Sequence, residues 1–363
     1  MRIAFFIPYY REGGVETTTH RLASVFHDRG HSVDLLTFQH ESPYLGPDSP
    51  FQVVDLDAER TLTSLPEVVR YLRRQRPDGV IAVHYFTNVV SVVARSLAGV
   101  SSDLILTERI SPSRALAEEG PVKSRLLLGL MRGTYPLSDA RVTVSKDAAA
   151  DLASLLHLEP DTVTPVYNPT LTQSVFRAAR EPLDHPWFES DDPVVLGVGR
   201  LSEQKDFETL LRSFEQLSDD TKLVLLGEGE KRSSLESLIV DLGIDDRVEM
   251  PGYVENPYKY MSRADVFALS SRFEGMPNVL VEAVALETPV VATDCPTGPR
   301  ELLGSTGAGA IVPVGEPGAM AEALTSQLAH PESARRDLQE LRPTLASFRP
   351  PAAADKYLSL LKT

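Results

Sequence analysis

Cysteine is almost missing from this chain. Cys295 is the single thiol in 363 residues, which excludes an internal disulfide and zinc clusters built on several thiolates, and makes a reducing cytosol the simplest compartment. Long apolar runs are missing too. No stretch reaches the roughly eighteen apolar residues of a membrane-spanning helix, and Met1-Arg2-Ile3-Ala4-Phe5-Phe6-Ile7-Pro8 is too short for a secretory signal and is followed by charges. It reads as a first buried strand. Basic residues are in deficit: 36 Lys and Arg against 51 Asp and Glu give a formal net charge of −15. That balance argues against a general nucleic-acid binder, because neutralising phosphates needs basic surface. A local basic patch is still compatible with it. Neither a short fixed-period repeat nor a low-complexity segment is evident.

The length is comfortable for two domains, and two domains leave a cleft of the kind ligands commonly occupy. Short apolar runs at Ile3 to Pro8, Ser32 to Thr37, Gly79 to Val83 and Leu104 to Thr107 alternate with helical patterns, the first from about Glu16 to Arg29. The second half repeats the style at Val194 to Val198, Lys222 to Leu226, Arg247 to Met250, Val266 to Leu269 and Pro289 to Ala292. Strand, helix, strand in this order implies an α/β fold, with parallel sheets covered by helices on both faces. The expected organisation is a Rossmann-like domain over 1–168, a proline- and acid-rich linker over 169–192 and a second Rossmann-like domain over 193–346.

Two stretches concentrate the chemistry. In Phe273-Glu274-Gly275-Met276-Pro277-Asn278-Val279-Leu280-Val281-Glu282-Ala283, a glycine-proline turn separates two carboxylates eight positions apart. Pro277 suits the first turn of a helix, which places Glu274 in the loop before it and Glu282 further in. The free N–H groups of such a helix start attract an anion. Phosphate and hydroxyl recognition side by side describes a nucleotide sugar better than a simple phosphate ester. Upstream, Val194-Val195-Leu196-Gly197-Val198-Gly199-Arg200 ends a strand in glycine and a cation, and Lys205 follows just before a helix. The two cations can converge on one diphosphate. Each feature also has a plainer account, as a helix start with solvated carboxylates and as surface cations.

With Gly13-Gly14-Val15-Glu16, Val198-Gly199-Arg200-Leu201 and Lys205, Leu226-Gly227-Glu228-Gly229, Gly252-Tyr253-Val254 and the Glu274 to Glu282 element in this order, the chain resembles glycosyltransferase family 4, retaining enzymes of the GT-B fold. The resemblance implies two Rossmann-like domains facing across a cleft, the first for the acceptor and the second for a nucleotide-diphosphate sugar. It implies that a C-terminal helix, about 347–363, packs back on the first domain. It also implies catalytic roles for Arg200, Lys205 and Glu274, with Glu282 accepting from the ribose hydroxyls. Gly252, Tyr253 and Val254 would line the base pocket, and the backbone of Gly275, Met276 and Asn278 would complete the phosphate cradle. Positive charge from Arg200 and Lys205 on the leaving diphosphate removes the need for a metal, and no Asp-x-Asp element lies near these positions. The expected cofactor is therefore none.

In the first half, Gly13 and Gly14 fall at the carboxyl end of a strand, where a glycine turn lets backbone approach a ligand and also makes an ordinary tight turn. Where family members place a histidine facing the donor sugar, this chain has Leu106-Thr107-Glu108-Arg109-Ile110-Ser111-Pro112. Glu108 and Arg109 are expected to line the cleft, as in a similar Glu-Arg loop of subfamilies acting on lipid-linked sugars. His84, after the Val80 to Val83 run, is the other histidine candidate and also fits a structural role. Cys295 is expected as a neutral thiol in a fixed loop near the donor. Lys123, Arg125 and Arg132 surround Leu126-Leu127-Leu128 and Leu130-Met131, a pattern of either a basic amphipathic helix on an anionic membrane or a core helix with solvated ends. The sequence thus points to transfer of a sugar to a glycan or lipid-linked glycan by a cytoplasmic protein at the membrane face. A GT-B nucleotide-sugar epimerase and a non-catalytic sugar-nucleotide-binding protein are the rivals.

Overall fold

The computed structural model describes residues 1–8, 13–38, 49–58, 60–304 and 308–362. The chain forms two compact units, Met1–Pro169 with Arg349–Thr363, and Thr170–Phe348. In the first unit, β1 (Arg2–Phe6), β2 (Ser32–Thr37), β3 (Gln52–Asp55), β4 (Gly79–Val83), β5 (Asp103–Glu108), β6 (Ala140–Thr143) and β7 (Val163–Pro165) make one parallel sheet in the order β3-β2-β1-β4-β5-β6-β7.

Strand β1 shows how the sequence dictates this layering. Side chains alternate faces along a strand, so Ile3 and Phe5 pack with Leu22 and Phe26 of helix Gly14–Asp28 and with Tyr357 of helix Pro350–Ser359. Ala4 and Phe6 point the other way, into the cluster holding Leu72 of helix Leu65–Gln75 and Val89 of helix Tyr85–Ala98. With both faces covered, a continuous apolar run replaces the alternation of a half-exposed strand. Gly79 lets the C-terminal segment close on β4, since a Cβ there would stand 2.6 Å from Leu361 Cδ2.

In the second unit, β8 (Val194–Val198), β9 (Lys222–Leu226), β10 (Val248–Gly252), β11 (Val266–Leu269), β12 (Val290–Thr293) and β13 (Ala310–Val312) form a parallel sheet ordered β10-β9-β8-β11-β12-β13. Phe207, Leu210, Leu211 and Phe214 of helix Phe207–Phe214 supply one wall of its core, with Met320 and Leu324 from helix Pro317–Ala329.

The stretch 169–192 is not a free linker. Beyond Pro169 it belongs to the second unit, through short helices Gln173–Ala178 and Pro186–Glu189. Asn256 Nδ2 donates to Ala178 O at 2.9 Å, Arg263 Nη2 donates to Glu181 O at 2.8 Å, and His185 Nε2 lies 3.2 Å from Glu249 Oε2. Its anchoring comes from side chains reaching its carbonyls, which leave no periodic signature in the sequence.

Candidate functional site

After β8 the chain builds β9 and β10 on one side of the sheet, then crosses to β11 on the other. The carboxyl ends of β8 and β11 therefore meet at a topological switch point, the usual ligand position of an open parallel sheet. The loops that follow these two strands are tied together there. Arg272 N donates to Gln204 O at 2.8 Å, Gln204 Nε2 donates to Phe273 O at 3.0 Å, and Ser270 Oγ donates to Lys205 O at 2.7 Å. Lys205 Nζ donates to Glu274 Oε1 at 2.6 Å, and Ser271 Oγ donates to the same oxygen at 2.7 Å. A third loop, after β12, joins them: Thr293 Oγ1 donates to Ser271 O at 2.6 Å, and Thr297 Oγ1 to Glu274 O.

Glycine permits the tight approaches. A Cβ on Gly227, whose φ is +139°, would fall 1.9 Å from Gly199 O, and one on Gly298, at φ +99°, 2.7 Å from Pro277 Cδ. The Lys205 stem lies over Gly199, where a Cβ would meet Lys205 Cε at 3.2 Å. Arg200 is exposed and makes no hydrogen bond or ion pair among the described residues. Of the two expected cations, one is thus held by a carboxylate and the other is open to solvent.

Pro277 is the cap of helix Asn278–Ala285 and not its first-turn residue, one position earlier than the spacing implied. Gly275 and Met276 are buried immediately before it, and the first N–H groups of the helix have no intrahelical acceptor. Asn278 Oδ1 accepts from Thr170 Oγ1 at 3.2 Å. Glu282, buried further along the helix, accepts on Oε1 from Tyr258 OH at 3.1 Å, which connects it to the segment after β10. There Gly252 ends the strand at φ +90°, Tyr253 is exposed and Val254 is half-buried. Pro257 is the cap of the next helix, Tyr258–Met261, and Asn256, one position earlier, accepts on Oδ1 from Tyr258 N at 3.1 Å. Cys295 is buried, and burial pushes its thiol up to about 12, which keeps it neutral at pH 7.

In the first unit, Gly13 and Gly14 are exposed at the start of helix Gly14–Asp28, and the Glu16 carboxylate folds over Gly13 so closely that a Cβ would stand 2.4 Å from it. Glu108 does not line a cleft. The two-residue period of β5 sets it on the same face as Leu104 and Leu106, inside the core, where Asn88 Nδ2 donates to its Oε1 at 3.0 Å and Tyr135 OH donates to the same oxygen. Burial pushes its carboxyl up to about 7. Arg109, one residue on, turns the other way and donates from Nη1 to Asn168 Oδ1 at 2.8 Å. His84, between β4 and helix Tyr85–Ala98, has an unusual backbone conformation for a residue with a side chain, φ 95° and ψ 143°, with its ring 3.9 Å from that of Tyr85. Burial pushes its imidazole down to about 4, so it is neutral at pH 7.

The basic leucine-rich segment is helix Pro121–Thr134, and it serves two environments. Leu127 and Met131 are buried, whereas Val122, Leu126 and Leu130, at four-residue spacing, are 79%, 65% and 39% exposed. Lys123 pairs with Glu119, Arg132 donates to Leu155 O at 3.0 Å, and Arg125 makes no hydrogen bond or ion pair among the described residues.

Sequence reasoning missed Ser271 and Tyr258, which hold the two carboxylates. Ser270-Ser271 directly after a buried strand run was the available signal for the first. Tyr258 offered none, because its partner is 24 residues away.

Two family profiles match the chain: "Glycosyl transferases group 1" over residues 182–340 and "Glycosyl transferase 4-like domain" over residues 13–169. The N-acetylgalactosamine-N,N'-diacetylbacillosaminyl-diphospho-undecaprenol 4-alpha-N-acetylgalactosaminyltransferase of Campylobacter jejuni subsp. jejuni serotype O:2 is 32% identical over 243 residues, covering 66% of this chain. That match spans 64% of the relative's length, a little under two thirds. A second protein of the same organism, GalNAc-alpha-(1->4)-GalNAc-alpha-(1->3)-diNAcBac-PP-undecaprenol alpha-1,4-N-acetyl-D-galactosaminyltransferase, is 24% identical over 93% of this chain and 91% of its own. Among solved structures, HepE of Anabaena in complex with UDP and glucose superposes with a TM-score of 0.80 at 18% identity, over 99% of both chains.

Proposed function

The chain belongs to the family 4 glycosyltransferases of the GT-B fold, and from that membership we propose that it moves a sugar from a nucleotide-diphosphate donor to a glycan or lipid-linked glycan, with retention at the anomeric carbon. The observation that carries this reading is the Lys205–Glu274 pair set at the β8–β11 switch point of the second unit. An ammonium has three N–H donors. One goes to Glu274, and the others serve a diphosphate.

As the bond from the sugar to the diphosphate breaks, negative charge grows on the leaving phosphate oxygens. Lys205 and the unengaged Arg200 stabilise that charge more in the transition state than in the bound donor, which lowers the barrier. Because these side chains supply the positive charge, the proposal includes no resident metal or cofactor. The first N–H groups of helix Asn278–Ala285 add a fixed partial positive charge. Glu282, held by Tyr258, accepts from the ribose hydroxyls, and Glu274 orients Lys205 beside the transferred sugar.

The first unit takes the acceptor in this reading. Both Campylobacter relatives are named for undecaprenol-linked diphosphate acceptors, which supports a lipid-linked glycan for this chain. The exposed stripe Val122, Leu126 and Leu130, beside Lys123, Arg125 and Arg132, supports peripheral contact with an anionic membrane on the cytoplasmic side. Incubating the protein with a panel of nucleotide sugars and lipid-linked glycans tests the whole proposal. Acceptor-dependent release of nucleoside diphosphate with a new glycosidic product is the expected result. An epimerised sugar without acceptor, or binding without turnover, would replace it with one of the two rival readings.

A further inference from the structure

The large hydrophobic side chains that the first unit leaves exposed, among the described residues, all lie on one side of its sheet. Leu62, Leu97 and Leu137 join Val122, Leu126 and Leu130. Helix Leu65–Gln75 packs on helix Tyr85–Ala98, which packs in turn on helix Pro121–Thr134, and the three share one core cluster through Leu72, Val89 and Leu127. The short turns Thr61–Ser64 and Tyr135–Leu137, which carry Leu62 and Leu137, pack on these same helices. Helices Gly14–Asp28 and Pro350–Ser359, which cover the opposite face, expose no large hydrophobic side chain. Charge divides the same way. In a chain of net charge −15, the three helices carry seven basic residues against one acid, Glu67, whereas the opposite two carry two basic residues and three acids.

Between helices Leu65–Gln75 and Tyr85–Ala98 this layer opens into a groove of about 650 Å³. The helical period sets Leu65, Val69 and Arg73 in one row and Pro66, Arg70 and Arg74 in the next, while Val68 and Leu72 turn inward. Leu65, Val69 and the exposed Leu97 give the groove apolar walls, and the three arginines line it as well. Arg73 Nη2 donates to Leu97 O at 2.8 Å, which ties the two helices together, and Arg70 pairs with Glu67. Arg74 makes no hydrogen bond or ion pair among the described residues.

Guanidinium groups beside exposed leucines suit an occupant that is anionic at one end and apolar at the other. A phospholipid with an anionic headgroup is both. A protein partner usually concentrates its binding energy in one central pocket. Here single apolar side chains are spread over a whole helical layer with cations between them, as on a surface that rests in a lipid interface. We propose that the groove between helices Leu65–Gln75 and Tyr85–Ala98 holds the phosphate of an anionic phospholipid headgroup, with Leu62 and Leu97 dipping into the interface beside it. The proposal rests on the reading that the first unit meets an anionic membrane, and it adds a lipid site on helices other than Pro121–Thr134.

Flotation of the full chain on phosphatidylcholine vesicles with and without phosphatidylglycerol tests it in four proteins: wild type, Arg70→Gln with Arg74→Gln, Leu62→Ser with Leu97→Ser, and Arg29→Gln with Lys356→Gln. The last pair removes the same charge from the opposite layer, and Arg29, like Arg70, has one acidic partner. Wild type should float only with phosphatidylglycerol. The groove variant should lose about tenfold or more in partitioning at low salt, and the leucine variant should also lose partitioning, with a deficit that persists when salt screens the cations. The opposite-layer variant should float like wild type. All four should have the same melting temperature, since every changed side chain is at the surface. A groove variant that floats like wild type, or an opposite-layer variant that loses as much as the groove variant, overturns the lipid site while leaving membrane contact standing. Wild type that fails to float on either vesicle removes the membrane reading itself, and the lipid site with it. Dimerisation without flotation, abolished by Leu62→Ser with Leu97→Ser, would give the face to a second copy of the chain and likewise overturn the proposal.

Discussion

If the proposed donor site is right, two demands meet at Lys205: its ammonium neutralises a buried carboxylate in the resting protein, and it must also reach an incoming diphosphate. The pair is poorly exposed, with side-chain exposures of 16% and 8%, so its members cannot be removed singly without consequence. Lys205→Ala leaves the Glu274 charge buried and unpaired, at a cost of roughly 3–5 kcal/mol. Lys205→Met combined with Glu274→Gln should recover most of that stability yet leave turnover several orders of magnitude below wild type. Urea unfolding and transfer assays on the three proteins check this, and a double variant with near-normal turnover would remove the pair from the chemistry. Glu108 makes a different prediction. Its carboxyl is raised from 4.5 to about 7 by burial, so the folded state binds its proton more tightly than the unfolded chain does. The stability this confers is present below about pH 4.5 and is lost as pH rises towards 7, a swing on the order of 3 kcal/mol. Glu108→Gln should abolish that swing, and denaturant curves for both proteins between pH 5 and 8 should diverge with rising pH, the variant being the more stable at pH 8. Parallel curves would mean that the carboxylate is ionised in the fold throughout.

Among elements, helix Pro121–Thr134 shows how one sequence pattern supports two environments at once. The leucines inside it were compatible with either a core or a membrane face, and the structure divides them: Leu127 inward, Leu126 and Val122 outward. A sequence cannot make that division by composition, because it depends on where the helix lies over the sheet. Replacing Val122 and Leu126 with serine and Arg125 with glutamate leaves the buried Leu127 and Met131 untouched, so stability should change by no more than about 0.5 kcal/mol per site. Recovery on anionic vesicles in flotation should fall sharply at low salt, since each cation near such a surface contributes about 1 kcal/mol. Equal flotation of variant and wild type would reduce the outward stripe to ordinary surface. Strands β1, β4, β8, β9 and β11 were legible because both faces of a covered parallel sheet demand apolar residues. Strands β7 and β13, with three residues each, are too short for a run to stand out, and four-residue β6, Ala-Arg-Val-Thr, is broken by a charge where equally short β11 is wholly apolar.

In the molecule as a whole, the first six strands of each unit follow the same order, third-second-first-fourth-fifth-sixth, and β7 extends the first sheet by one. That repetition was visible in the sequence as alternating apolar and helical segments. The partition was not fully visible, because the proline-rich stretch after Pro169 resembles a linker by composition while its carbonyls are claimed by Asn256 and Arg263. That Lys205 and Glu274 fall in loops at strand ends was legible for a related reason, because glycine and charge at strand ends are set by local geometry. Glu108 was misplaced because it is the strand period, and not the motif, that decides which way it points. The central claim is that the second unit binds a nucleoside diphosphate at the β8–β11 switch point through Lys205. Calorimetric titration of UDP, GDP and ADP into wild type and into the Lys205→Met, Glu274→Gln double variant tests it most directly, since the variant keeps the loops tied while removing the cation. At least one nucleotide should bind wild type, with affinity reduced about tenfold or more in the variant; equal affinity in both proteins, or no binding of any of the three to wild type, would contradict the account.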